Sequence, residues 1–257
     1  MKELILALSF LTILPIKIKK IASEMQMAKS LYYYPLVGLT IGAGLVLTAF
    51  IAEHLALGYA GDVLLVIFWI FITGALHVDG LMDTADGIFS GQSRERKLEI
   101  MRDSRIGAMG AVVLLSVIIL KISFINELAP VNKYWVLLMA PALGRTIMVY
   151  VISYYPYART GTGLGKCFGF PISKIIFPFT FAFMLATGYI LGVIIGFNAF
   201  AGLGLILVTG IIAAIIAKYL ASLIGGHTGD TYGAMCEISE TLFIILAVIG
   251  LKLMEMI

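Results

Sequence analysis

The sequence predicts an all-α integral membrane protein: a polytopic bundle of about seven transmembrane helices with an interfacial or re-entrant helix at the N-terminus. Three observations predict it. Of 257 residues, 61% are apolar and only 13% are charged, whereas a soluble domain averages roughly 45 to 50% apolar and roughly 25% charged. A water-exposed globule of this composition would lack the polar surface to cover itself. The mean hydropathy is +1.04. Leu, Ile and Val are spread over nearly the whole length, which excludes a soluble enzyme on one anchor, a disordered chain and a collagen-like one. The expected organisation is a single polytopic domain over residues 1–257.

Each element follows from the length of an apolar run, since a crossing helix needs about 20 residues. The stretch from Glu3 to Ile16 ends at Pro15 and the Lys17, Lys19, Lys20 cluster, short of a crossing, so it reads as an interfacial or re-entrant helix. A cleaved signal peptide would need a small-residue cleavage site and a basic cluster on the other flank. Spans are then expected at 35–53, 62–78, 107–126, 134–153, 175–196, 201–222 and 238–256.

The basic residues set the orientation. With the N-terminus inside, fourteen of the eighteen Lys and Arg fall on cytoplasmic pieces, and only Lys121, Lys133, Arg145 and Lys252 fall elsewhere. The expectation is a multi-pass protein of the plasma or inner membrane, with its C-terminus outside. No basic block is interleaved with aromatics, so nucleic acid is not an expected partner. Cys167 and Cys236 form no metal-type pair and read as reduced thiols.

On this topology every polar cluster able to carry chemistry faces the cytoplasm. The stretch G-A-L-H-V-D-G-L-M-D-T-A-D-G carries Asp79, Asp83 and Asp86 at spacings of four and three. On a helix these fall within roughly 60° of arc, and like charges so close need a compensating cation. All-oxygen ligation suits Mg²⁺ or Mn²⁺, with the rest of the shell taken from water and substrate phosphates. The rival reading is a solvated helix end whose acids pair with Arg102 and Arg105.

In M-R-D-S-R-I-G-A-M-G, Asp103 is a fourth candidate metal ligand, or only the counter-ion of its neighbours, and Arg102 and Arg105 are candidate phosphate binders. Arg145 lies inside an apolar helix and must face the bundle interior; a phosphate or an acid on another span would satisfy it. The cluster G-G-H-T-G-D-T-Y-G-A-M-C-E-I-S-E offers His227, Asp230, Glu237 and Glu240. Asp230 is a candidate base or additional ligand, and Glu237 and Glu240 share one helix face at the start of the last span. His77 and His227 each lack a nearby second histidine, which argues against zinc. Lys166 follows a glycine-rich stretch, but Cys167 stands where a phosphate loop needs Ser or Thr.

Together with F-L-T-I-L-P at 10–15 and Y-Y-P-L-V-G at 33–38, these motifs resemble the cobalamin synthase family, the adenosylcobinamide-GDP ribazoletransferases, in family order over nearly the whole chain. The resemblance implies a transferase of late cobalamin biosynthesis. Adenosylcobinamide-GDP and α-ribazole or its 5′-phosphate would be its substrates, GMP a product, Mg²⁺ the metal and the bilayer its surroundings, with a homo-oligomer left open. The expected site has Asp79, Asp83, Asp86 and Asp103 as metal ligands, Asp83 and Asp230 as catalytic groups, and Arg102, Arg105, Arg145, His227 and Glu240 as substrate-binding residues. A CDP-alcohol phosphotransferase is the nearest alternative enzyme, but Asp79-Gly80 is followed by Leu81, Met82, Asp83 and Thr84, which breaks its D-G-x-x-A-R pattern. A secondary transporter would place its carboxylates near the midplane of related halves, and no inverted repeat is evident.

Overall fold

The computed structural model describes residues 2–16, 22–159 and 173–256. Lys17, Lys19, Lys20, Lys166 and Cys167 lie outside the described residues. Among the described residues every regular element is helical: α1 (Lys2–Leu11), α2 (Glu24–Ser30), α3 (Tyr34–His54), α4 (Tyr59–Ile72), α5 (Leu76–Ile88), α6 (Arg94–Ile100), α7 (Ala108–Asn126), α8 (Pro130–Tyr154), α9 (Ser173–Ile195), α10 (Ala199–Ile224) and α11 (Gly229–Glu255). Six helical runs are long and apolar enough to cross a membrane, and α4 with α5 makes a seventh if the bent pair is one span.

Helix α8 is the centre of the bundle. Of its most apolar stretch 89% is buried, against 22% for α9 and α10, so α8 packs on protein while α9 and α10 turn most of their surface outward. Apolar side chains gain little by leaving lipid for protein, so a helix enters such a centre through close backbone packing and polar contacts. Gly38 and Gly42 of α3 provide the first. A Cβ on Gly38 would come within 2.4 Å of the Ala142 Cα, and one on Gly42 within 2.7 Å of the Leu138 Cα. Pro141 sits inside α8 at this contact and removes one helical N–H. The Trp135 indole N–H of α8 donates to the Gly188 carbonyl of α9 at 3.1 Å, and its ring stacks 4.1 Å from that of Phe197.

The expected second span does not run straight. After Ile72 the chain turns and α5 leaves at 87° to α4. Gly74 and Ala75 both take the left-handed conformation, with φ of +59° and +58°, and Ala75 does so against its steric preference. The turn is closed by Gly74 N–H to Phe71 O and Ala75 N–H to Ile70 O. The exposed Ile72 carbonyl accepts from the Ile13 N–H at 2.9 Å, so the segment after α1 seals the break. At ten residues α1 is too short to cross.

The last span starts earlier than expected, at Gly229 and not near residue 238. Thr228 caps it reciprocally with Thr231. Asp230, Glu237 and Glu240 therefore belong to one helix. Helix α5 lies against the first turns of α11 at very short range: a Cβ on Gly80 would meet the Asp230 carbonyl oxygen at 2.6 Å.

Replacing Gly42 with Leu should separate α3 from α8 and cost about 1 to 3 kcal/mol or more, as overpacking does. Thermal unfolding in detergent checks this, with Gly204→Ala as the control, since a Cβ there meets nothing within 4 Å.

Candidate active site

Helix α5 presents Asp79, Asp83 and Asp86 along one side, Asp79 exposed and the other two partly buried. Their surroundings differ. The Asp86 carboxylate accepts from the Gly107 N–H through one oxygen and from the Gly110 N–H through the other, both at 2.8 Å. It thus satisfies two of the orphan amides that begin α7. Both positions must be glycine, because a Cβ at Gly107 or Gly110 would lie 2.2 or 2.5 Å from an Asp86 oxygen. Asp103 is held by Arg105, whose Nε lies 3.0 Å from one carboxylate oxygen and whose Nη2 lies 2.6 Å from the other. That guanidinium keeps the exposed Asp103 carboxyl well below the usual range, at about 2.

Asp79 and Asp83 have no such partner among the described residues. Asp83 stands in the combined field of Asp79, Asp230 and Asp86. Asp230, in the first turn of α11, accepts from Arg159 Nη2 at 2.6 Å and from the Thr228 hydroxyl at 3.2 Å. Arg159 also donates to the Met101 carbonyl at 3.3 Å. Its position is set by a short backbone ladder, with His227 N–H to Pro156 O at 2.9 Å and Ala158 N–H to His227 O at 2.8 Å. Asp79, Asp83 and Asp230 form an acidic rim that meets the cation Arg159. Beside it a cavity of about 330 Å³ is lined by Arg94, Arg102 and Arg159, with Glu95 and Glu99 on its wall.

The four aspartates expected to ligate metal are not gathered into one cluster. Among the described residues no group of three or more His, Cys, Asp or Glu side chains stands close enough to hold a metal ion by itself. Asp79 and Asp83 face the rim, Asp86 faces the start of α7, and Asp103 faces Arg105. Of the expected substrate contacts, Arg102 reaches the basic cavity and Arg105 lies exposed on Asp103. His227 is fully buried. Its Nε2 faces the Ala217 carbonyl at 3.1 Å, and its Nδ1 lies 3.0 Å from the Thr231 hydroxyl. A carbonyl only accepts, so Nε2 carries a proton. Burial pushes its pKa down to about 4.

Arg145 and Glu240 pair with each other deeper in the bundle, where both are fully buried. Lys121 of α7 completes the group, donating to Glu237 at 2.7 Å and to Glu240 at 2.8 Å, with its ammonium 4.1 Å from the centre of the Trp69 ring. Two positive and two negative charges thus join α7, α8 and α11.

A sequence model of the family described as cobalamin-5-phosphate synthase matches residues 3–248. The chain belongs to that family. As a cobalamin-5-phosphate synthase family member it is an enzyme of cobalamin synthesis. It is 42% identical over 245 residues to a protein of Desulforamulus reducens named adenosylcobinamide-GDP ribazoletransferase, with 95% of each chain covered. It is 38% identical to a protein of the same name from Clostridium novyi, with 98% of each covered. A third of that name, from Roseiflexus, is 41% identical, covering 91% of this chain and 84% of its own. No solved structure matches the chain.

Two residues of this family member lie outside the expected set of site residues. Lys121 enters the sequence reading only as a basic residue off the cytoplasmic pieces, yet a lysine well inside an apolar span calls for an acid partner, and that is the available signal. Arg159 has no acid near it in sequence; its acid, Asp230, is 71 residues away.

Arg145→Met should leave Glu240 short of a partner and cost about 3 to 5 kcal/mol. Adding Glu240→Leu leaves Lys121 and Glu237 as a neutral pair and should recover most of the loss. A double-mutant cycle on thermal unfolding in detergent measures both.

Proposed function

We propose that the enzyme transfers the adenosylcobinamide phosphate group from adenosylcobinamide-GDP to α-ribazole or its 5′-phosphate, at the acidic rim of Asp79, Asp83 and Asp230. The carrying observation is the meeting of that rim with Arg159 and the basic cavity at one end of the bundle. This arrangement supports phosphoryl transfer. A ribose hydroxyl oxygen attacks the phosphorus nearest the cobinamide, the bond from that phosphorus to the GMP oxygen breaks, and the hydroxyl proton passes to a carboxylate. Asp230 suits that last role, being partly buried and held in place by Arg159 and Thr228.

The residues also fit Mg²⁺. Asp79 and Asp83 are neighbouring carboxylates without a cation partner among the described residues, and Mg²⁺ is commonly bound by one or two carboxylates, water and substrate phosphates. When bound, it neutralises phosphoryl oxygens and favours departure of the leaving phosphate; Mn²⁺ has the same ligand chemistry. Asp86 fixes the start of α7 beneath this pair, and Asp103 orients Arg105. Arg102 and Arg94 offer guanidinium forks to a pyrophosphate. The excess of basic residues at this end supports its placement at the cytoplasmic face of the cell membrane.

Detergent-purified protein given adenosylcobinamide-GDP and α-ribazole should release GMP with Mg²⁺ and stop with chelator. Asp83→Asn should lower kcat by about 10²-fold or more, as loss of a group acting on transition-state charge does. Asp103→Asn, which breaks only an exposed pair, should change it by less than about tenfold. Release of CMP from a CDP-alcohol, with no GMP from the cobinamide substrate, would overturn the assignment.

A further inference from the structure

The basic cavity beside the acidic rim holds two carboxylates that the reaction proposed above leaves unused. Arg94, Glu95, Leu98, Glu99 and Arg102 line it from α6 and the turn that continues it, at spacings that share one side of a helix. This stripe has two rows. Arg94, Leu98 and Arg102 make one; Glu95 and Glu99, about 100° further round, make the other. The basic row is tied to the bundle. A Cβ on Gly225 would lie 2.3 Å from the Arg94 Cζ, so that guanidinium rests on the left-handed glycine that ends α10, where a helix C-terminus favours a cation. Arg159 is fixed by Asp230 and the Met101 carbonyl, and its Nε is buried without a partner. The acidic row differs. Glu99 is balanced by Arg96 at 2.8 Å, while the Glu95 carboxylate has no ion pair or hydrogen bond among the described residues. A cavity built for phosphate alone would only lose by carrying an unbalanced carboxylate on its wall.

We infer that this cavity seats the guanine nucleotide of the donor, with Glu95 accepting from the edge of the base. The inference rests on the reaction proposed above and names the residue that selects its nucleotide. Polarity decides first. A carboxylate offers acceptors only. Guanine presents a ring N–H and an exocyclic amine side by side, two donors that one carboxylate takes as a parallel, charge-assisted pair. Adenine sets a ring acceptor beside its amine, and that nitrogen would meet a carboxylate oxygen lone pair to lone pair. Leu98 and Ala158 give the face of the base apolar surface. Size agrees, since pockets that hold whole ligands run to about 300–1,000 Å³, and 330 Å³ admits a nucleotide but not a corrin with it. Connectivity decides last. The attacking and leaving oxygens lie roughly in line at phosphorus, and Arg159 joins the two regions, pairing with Asp230 and lining the cavity. With the hydroxyl held at the rim, GMP departs across Arg159 into the cavity, its phosphate on the arginines and its base against Glu95.

The test titrates detergent-purified protein with GDP, inosine diphosphate and ADP and reads the heat of binding. The wild type should bind GDP about tenfold or more tighter than inosine diphosphate, which lacks the exocyclic amine, and ADP more weakly still. Glu95→Gln exchanges one acceptor for an amide donor, which matches the edge of adenine, so the preference for GDP over ADP should fall by about tenfold or more. Glu95 is exposed, and this near-isosteric change leaves the fold intact. Arg94→Gln should weaken all three nucleotides alike, because it removes a phosphate contact and not a base contact. In turnover, Glu95→Gln should raise the KM for adenosylcobinamide-GDP about tenfold and leave the KM for α-ribazole unchanged. Equal binding of GDP and ADP by the wild type would overturn the inference, as would a GDP preference that survives Glu95→Gln. If the wild type releases no GMP from the cobinamide substrate, the proposed reaction fails, and the nucleotide titration still decides the cavity. A GDP preference that Glu95→Gln abolishes upholds it; absence of GDP binding overturns it.

Discussion

A charge surrounded by hydrocarbon must find its opposite within the protein, because water is not there to solvate it and an isolated ion costs several kcal/mol. Lys121, Arg145, Glu237 and Glu240 meet this requirement together. They come from α7, α8 and α11, and the pairs Lys121–Glu237, Lys121–Glu240 and Arg145–Glu240 bring the four charges to neutrality. Such a group tolerates little sliding, since a shift of one turn would strand a charge. The register of three helices is thereby fixed, and the other contacts are built on it. Helix α5 lies on α11 through Gly80, and α7 begins on the carboxylate of Asp86.

The second requirement concerns the backbone. At the break after Ile72 the helical ladder ends and carbonyls lose their partners, which is tolerable only where protein supplies donors. The turn at Gly74 and Ala75 and the Ile13 amide supply them. The break matters because it sends α5 across the end of the bundle at 87° to α4 and lays its aspartates beside Asp230. A straight span would have carried Asp79, Asp83 and Asp86 away from α11.

These constraints divide the polar residues into two kinds. Asp86, Asp103, Glu240 and His227 have their hydrogen-bonding capacity largely taken up within the chain, on helix starts, counter-ions and neighbouring carbonyls. Among the described residues Asp79 and Asp83 do not, and Asp230 shares one arginine. An enzyme handling polyanions can use only groups with capacity to spare, so the division points from structure toward chemistry more sharply than charge alone.

Composition and hydropathy determined that the chain is a helical membrane protein, because covering a hydrocarbon surface needs nothing more specific than apolar length. The motifs likewise carried the family. The short-range acid spacing on α5 was also legible, since a helix converts spacings of four and three into a shared side. What the sequence could not show is which partner each charge takes. Arg145 and Glu240 are 95 residues apart, Lys121 and Glu237 116, and Asp86 and Gly107 21; only packing brings such pairs within hydrogen-bond reach. The 87° break was hidden for a related reason: an apolar run reads the same bent or straight, and what bends it is a left-handed Ala75 sealed by a residue from the far N-terminal segment. Local chemistry is written along the chain, whereas the pairing of charges and the closing of broken helices are decided where distant segments meet.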